Sequence, residues 1–197
     1  MSTEAISIIN EGNTEKTKAA GNKQLVYVNY IISRCKDNGI RAALKRADNP
    51  ATEYQSWEVL AGFQINLAFE NQRLPYATIA AAIARAKIEN NGTAKIGYAI
   101  ARCYDDGNAS DQAKVKLRRL LACDSIPETC RILRPLLQLI EARGNTSVDY
   151  AALLNDLLWF SNDDSQMLIK ARWAQDFYGQ ANGQPSAGKI SAGATND

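Results

Sequence analysis

Histidine does not occur among the 197 residues. Its absence removes the commonest general base near neutral pH and a favoured zinc ligand. It also excludes any Ser-His-Asp or Cys-His arrangement. The four cysteines, Cys35, Cys103, Cys123 and Cys130, form no CxxC pair, so no zinc site of familiar spacing is written into the chain. They are expected to act as small buried hydrophobes in a reducing cytoplasm. No apolar run approaches the roughly 18 residues that cross a membrane. The first twenty or so residues also lack the basic start and apolar centre of a signal peptide. A cytoplasmic protein with no membrane partner is therefore expected.

Phosphate-cradling loops are missing as well: neither GxGxxG nor GxxxxGK followed by Ser or Thr occurs. The adjacent carboxylates Asp105/Asp106 and Asp163/Asp164 sit in turn-like sequence and point in different directions, a setting in which Asp commonly caps helices. Asp149 and Asp156 are two turns apart, far for a shared metal. Nothing marks carboxylates converging on a metal ion. The expectation is a protein that is not an enzyme and carries no cofactor. Aromatic residues make up only 8% and the net charge is +2, too little to argue for a polyanionic partner by itself. The placement of the charges decides that.

What the chain does have is helical periodicity, and with 46% hydrophobic residues it can bury a sizeable core. Apolar residues recur three and four apart between polar, Gly- and Pro-marked interruptions, and no strand pattern stands out. The spacing predicts helices over 22–36, 39–47, 53–70, 75–89, 94–104, 110–123, 126–142, 148–160 and 163–178. The expected fold is all-α, a compact bundle of about eight to nine short helices, with a division into two lobes at the polar loop 105–108. The domain reading is a flexible leader over 1–21, an N-terminal lobe over 22–104, a C-terminal lobe over 108–179 and a disordered tail over 180–197. Pro75 suits the first turn of the fourth helix. Ser125 and Glu128 form a capping box for the seventh, and Pro135 inside it predicts a kink or break. Gly179 fits a C′ position after the last helix. Trp57, Phe63 and Phe69 are expected in the core. Trp159, Phe160, Trp173 and Phe177 are expected to lock the last two helices together.

The basic residues gather on a few of these helices. GIRAALKRAD at 39–48 carries Arg41 and Lys45 one turn apart with Arg46 beside them, over an apolar side of Ile40, Ala43 and Leu44. KVKLRRLLACD at 114–124 carries Lys114, Lys116, Arg118 and Arg119, over a stripe of Ala113, Leu117, Leu120 and Leu121. Arg131 and Arg134 repeat the theme on the next helix. Like charges one turn apart cost a few tenths of a kcal/mol per pair, and a partner with regularly spaced anions offsets that cost. A face kept soluble by charge usually mixes signs, and these ridges do not. Three such ridges point to a nucleic-acid backbone.

These stretches resemble the CasB family, the small subunit of the type I-E CRISPR surveillance complex Cascade. GIRAALKRAD resembles that family's N-terminal basic motif and KIGYAIARC (95–103) its central short helix. KVKLRRLLACDSIPETCRILRPLLQLIEA, DYAALLNDLLWF and IKARWAQDFYG resemble its C-terminal helices in order and spacing. The resemblance covers about 39–179 with gaps and is strongest from Lys114 onward. It implies an all-helical, non-catalytic protein, present as a pair. Its implied partners are the backbone and large subunits, the guide RNA and the target DNA, and its implied role is to stabilise the R-loop in antiviral defence. By motif position Arg41, Lys45 and Arg46 carry one nucleic-acid contact and Lys114, Lys116, Arg118 and Arg119 another, with Arg131 and Arg134 as further candidates. Pro135 departs from relatives, which often place a second basic residue there.

Two other readings use the same residues. A structural adaptor would turn the ridges toward acidic protein surfaces. A helical DNA-binding regulator would need a recognition helix offering Asn, Gln or Arg to base edges, and no helix-turn-helix signature stands out.

Overall fold

A computed structural model describes residues 23–143 and 146–179. The expected leader over 1–21 and tail over 180–197 lie outside the described residues. Nine α-helices occur among the described residues: α1 (23–34), α2 (Asn38–Leu44), α3 (Trp57–Gly62), α4 (Glu70–Ala86), α5 (Ile96–Ala101), α6 (Asp111–Leu121), α7 (Ile126–Arg143), α8 (Tyr150–Trp159) and α9 (Asp163–Tyr178). Short 3-10 turns precede α3 and α6. The all-α architecture is as the periodicity implied. Among the described residues the one trace of sheet is a parallel bridge between Ala94 and Val148.

The centre of the molecule is α4. Every residue from Pro75 to Ala84 is buried, and a helix apolar all round belongs inside. Its alanines let α2, α7 and α8 pack against it. The helix begins at Glu70, so Pro75 is inside it rather than in its first turn, a correction to the sequence reading. Arg73 explains the earlier start: its guanidinium donates to the Leu67 carbonyl at 2.6 Å and pairs with Glu53 at 3.2 Å, holding the first turn in place. The expected helix over 53–70 is divided for a related reason. Gln64 takes a left-handed conformation (φ 61°), its amide bonds the Ala61 carbonyl, and the Ile65 amide bonds that of Leu60. This is a Schellman end formed without glycine, sealed by buried Ile65 and Leu60. Trp57 and Phe69 are consequently exposed, at 38% and 64%, and only Phe63 of the expected trio packs on the core.

Pro135 does not break α7, which runs through it. The ring is on the exposed face with Arg131, so the carbonyl it leaves unbonded turns to solvent rather than into the core. Leu133, Leu136 and Leu137 on the inner face stay buried. At the start of α7 the Glu128 amide donates to Ser125 Oγ, while the Glu128 carboxylate accepts from the Asp124 amide, one residue earlier than a capping box requires. Gly179 ends α9 in the right-handed region (φ −63°), not as a left-handed C′ residue.

The last helix closes the bundle. Phe160 stacks on Trp173 with centroids 5.7 Å apart, and both are buried with Phe177, whereas Trp159 is 53% exposed. Helix α5 packs against α9 through Gly97. A Cβ there would collide with the Trp173 carbonyl oxygen and stand 2.8 Å from the Phe177 amide nitrogen. Trp173 Nε1 donates to buried Asp156 at 2.7 Å, and Arg172 donates to the same carboxylate. Burial pushes Asp156 up, against those two partners. Asp149 caps α8 at the Ala152 amide (3.0 Å) and accepts from Lys95 Nζ (2.7 Å) and Asn91 Nδ2 (2.8 Å). Burial alone would raise it, but these donors outweigh burial and hold it below the ordinary range.

One buried ion cluster sets where α2 sits. The Asp48 side chain is 2% exposed and accepts from Arg85 of α4 at 2.8 Å. Arg134 Nε of α7 stands 3.5 Å from its other oxygen, an ion-pair distance rather than a good hydrogen bond. Arg85 also donates to the Lys45 carbonyl at 3.2 Å. The turn after α2 is thereby fastened to two helices.

Three stability changes are expected. Gly97→Ala forces α5 from α9 and costs about 1–3 kcal/mol; a thermal midpoint equal to the parent's would contradict the close crossing. Asp48→Ala leaves a buried guanidinium uncompensated and costs about 3 kcal/mol; denaturant titration showing under about 1 kcal/mol would refute the clamp. Asp149→Asn is less stable than the parent at neutral pH. Because the folded-state pKa is depressed, the parent's advantage exists above the ordinary value of 3.8 and disappears as pH falls through the lowered one. A difference that persists in strong acid would contradict this.

Candidate nucleic-acid interface

The first basic ridge begins at a short capped helix. Asp37 accepts from the Ile40 amide at 2.9 Å, which starts α2 and turns its charged side outward. Arg41 donates to Asn38 Oδ1 at 2.7 Å and Arg46 to Gln55 Oε1 at 3.0 Å. Both partners are neutral, so neither charge is cancelled. Lys45 is exposed. Among the described residues none of the three is in an ion pair.

The second ridge runs along α6, which Ser110 caps. Ala113, Leu117 and Leu120 face inward as the spacing implied, with Leu121 half-buried. Arg118 and Arg119 are exposed and Lys116 is half-buried. No carboxylate pairs with these three among the described residues. Lys114 differs. Its ammonium turns back onto the start of its own helix, donating to the Ala109 carbonyl at 2.8 Å with Asp111 at 3.4 Å.

Helix α7 touches the surroundings of both ridges. Arg134 reaches Asp48, just beyond the first ridge. The adjacent Pro135, with Ile132 and Leu136, lines a small cleft shared with Lys116 and Arg119 of the second. The 131–136 stretch therefore touches the turn after α2 through Asp48 and the α6 residues Lys116 and Arg119 through the cleft. Arg131 is 71% exposed and only loosely paired, 3.7 Å from Glu128. Arg134 is engaged with Asp48, so part of its charge serves the fold. Of the nine candidate residues, Arg41, Lys45, Arg46, Lys116, Arg118 and Arg119 have no acidic partner among the described residues.

Two residues that the spacing did not single out stand beside these. Arg85 positions the first ridge by bonding the Lys45 carbonyl and Asp48. Lys87, at the end of α4, borders the groove that Arg41 lines. Both follow an Ala-rich run and look in sequence like isolated solubilising charges; no local pattern marks them.

Elsewhere, a polar cleft on the α5–α8–α9 side contains Lys95, Asp149, Asp156, Arg172 and Asp176. Its carboxylates Asp149 and Asp156 are already engaged by Lys95, Arg172 and Trp173. Among the described residues no three His, Cys, Asp or Glu side chains are disposed to hold a metal ion, and no helix is long and apolar enough to cross a membrane. The arrangement offers fixed positive charge on rigid helices, which suits electrostatic contact with phosphates.

The model of the family described as CRISPR-associated protein Cse2 matches residues 40–178. Solved structures share the fold. A Cse2-family CRISPR-associated protein from Thermus thermophilus has a TM-score of 0.64 at 20% identity, over 81% of this chain and 97% of that one. CasB from M. ruber gives 0.64 at 22% identity, over 81% and 94%. CasB from Thermobifida fusca gives 0.57 at 15%, over 78% and 98%. No curated protein matches in sequence. A family match spanning α2 to the end of α9, joined to the same arrangement of helices, places this chain in the Cse2 family of CRISPR-associated proteins.

Proposed function

We propose that this chain is a non-catalytic small subunit of the Cascade surveillance complex, where it holds nucleic-acid backbone and stabilises the target-bound R-loop. The observation that carries the proposal is the set of cations on α2, its following turn and α6 that have no acidic partner among the described residues. In RNA-guided recognition base pairing reads the sequence, so a protein subunit needs to match only shape and charge. Lys and Arg on rigid helices do this by binding phosphates without contacting base edges.

The modest net charge of +2 fits an auxiliary subunit. A chain with weak general affinity for DNA binds a strand tightly once the assembly presents that strand at high effective concentration. The backbone and large subunits, the guide RNA, the target DNA and a second copy of the chain are the partners this role requires, in the cytoplasm. Arg41, Lys45, Arg46, Lys116, Arg118 and Arg119 are the principal contacts. Lys114, Arg131 and Arg134 are secondary, since each already has an acidic neighbour.

Reversing the charge at Lys45, Arg46, Arg118 and Arg119 should leave the helical circular-dichroism signal intact. It should also weaken retention of target DNA by the assembled complex, with the log–log salt slope shallower by about 0.7–0.9 per lost phosphate contact. DNA retention equal to the parent's throughout a salt series would refute the proposal. If assembly of the complex fails but DNA retention by preassembled complex does not change, the ridges meet acidic protein surfaces instead.

A further inference from the structure

A cavity of about 360 Å³ lies where the ends of α4 and α7 meet the start of α8. Ile140 and Val148 contribute apolar walls, while Glu141, Thr146, Ser147 and Tyr150 contribute polar groups. The volume falls at the lower end of the range for small-molecule sites, about 300–1,000 Å³. One wall is held rigidly. The Gly92 amide donates to the Val148 carbonyl and the Ala94 amide to that of Ser147, both at 3.0 Å, and the Asp149 amide returns to the Ala94 carbonyl at 2.8 Å. A Cβ at Gly92 would collide with the Ser147 carbonyl, so the close approach needs glycine. Asn91 Oδ1 accepts from the Tyr150 amide at 2.9 Å. The backbone that carries Ser147, Val148 and Tyr150 is thereby fixed before any ligand arrives, which lowers the ordering cost of binding.

The phenol of Tyr150 is the informative group. The residue is 5% exposed and lines the cavity, yet its hydroxyl bonds no group among the described residues. Tyr27, also buried, behaves in the ordinary way and donates to the Tyr76 carbonyl at 2.9 Å. A polar group withdrawn from water without a partner costs stability. Burial and the nearby Glu141 carboxylate push the Tyr150 phenol up to about 12, so it stays an uncharged hydroxyl near neutral pH. Glu141 is exposed at the end of α7 and is in no ion pair among the described residues. Arg85 acts on the phenol in the opposite sense, but its guanidinium is engaged with Asp48 and the Lys45 carbonyl.

We propose that this cavity binds a primary alkylammonium group, supplied by a free aliphatic amine or by a lysine side chain. The Glu141 carboxylate takes the charge, the oxygens of Tyr150 and of Thr146 or Ser147 take the remaining N–H donors, and Ile140 and Val148 bed the methylenes. An ammonium has donors and no acceptor, which matches a cavity lined by one carboxylate and by hydroxyls that accept. An anion would meet Glu141 with no cation lining the cavity to offset it. A neutral alkyl chain would leave the Tyr150 hydroxyl unbonded and draw water away from the carboxylate, both at a cost. The inference uses none of the ridge residues and is independent of the nucleic-acid reading.

The test titrates the full chain with n-pentylamine, n-pentanol and Nα-acetyl-lysine N-methylamide, followed by amide NMR shifts. Pentylammonium should shift the Ile140, Val148 and Tyr150 amides saturably. Pentanol, which matches its length without the charge, should bind about tenfold more weakly or worse. Glu141→Gln, at an exposed position, should weaken amine binding by a similar factor, about tenfold or more. Tyr150→Phe should weaken it about two- to tenfold while melting at or above the parent temperature, because the hydroxyl it removes has no partner in the folded chain. Tighter binding of pentylammonium than of the lysine derivative makes a free amine the source, and the reverse order makes it a protein lysine. Pentanol binding as tight as the amine's overturns the assignment, as does parent-like amine binding by both variants. A Tyr150→Phe chain that melts well below the parent also overturns it, since the phenol would then be bonded within the fold. So does the absence of saturable shifts at these amides with millimolar pentylammonium.

Discussion

A carboxylate with 2% of its side chain exposed is the constraint on which the basic surface depends. Asp48 sits between Arg85 of α4, which hydrogen-bonds one oxygen, and Arg134 of α7, whose charge stands beside the other, and a buried charge is tolerated only when opposite charge compensates it. Satisfying it brings the end of the first ridge onto two helices of the core. The same Arg85 takes the Lys45 carbonyl, so the backbone that carries Lys45 and Arg46 is held directly. Because α7 also borders α6 at Pro135, one buried cluster relates two basic ridges that are distant in sequence.

The structure thus sorts chemically similar residues into two groups. Arg73, Arg85, Arg134 and Arg172 are each matched to a carboxylate of another segment or another turn. There the planar guanidinium bridges elements of the fold. The cations of α2 and the outer side of α6 have no such match among the described residues. The positive charge outside these pairs is therefore set by where the unpaired cations gather, on α2 and α6, and not by the chain's total. A charge count over the chain averages these groups together and hides that placement.

How far the elements could be read from sequence follows from how local their causes are. Helix α9 occupies the predicted span because its cap Asn162, its first-turn acids and its apolar positions all lie within it. The stretch over 53–70 could not be read in the same way. Its helical spacing is real, but Gln64 in a left-handed end and the hold of Arg73 on Leu67 and Glu53 divide it. Pro135 misled in the opposite direction, since a proline on a solvent-facing side leaves its lost bond to water. Trp57 and Phe69 were expected inside on spacing alone, and the divided helix left both exposed.

By itself the sequence determined that the chain would be helical, which face of α6 would be buried, and which residues could carry the basic ridges. Those properties depend on neighbours three and four positions away. Only the tertiary structure decided which cations stay unpaired, that Arg134 and Lys114 are already engaged, and that Lys87 joins Lys36 and Arg41 around one groove. Electrostatic pairing and groove formation depend on distances in space between residues far apart along the chain. No periodicity within a single segment records those distances.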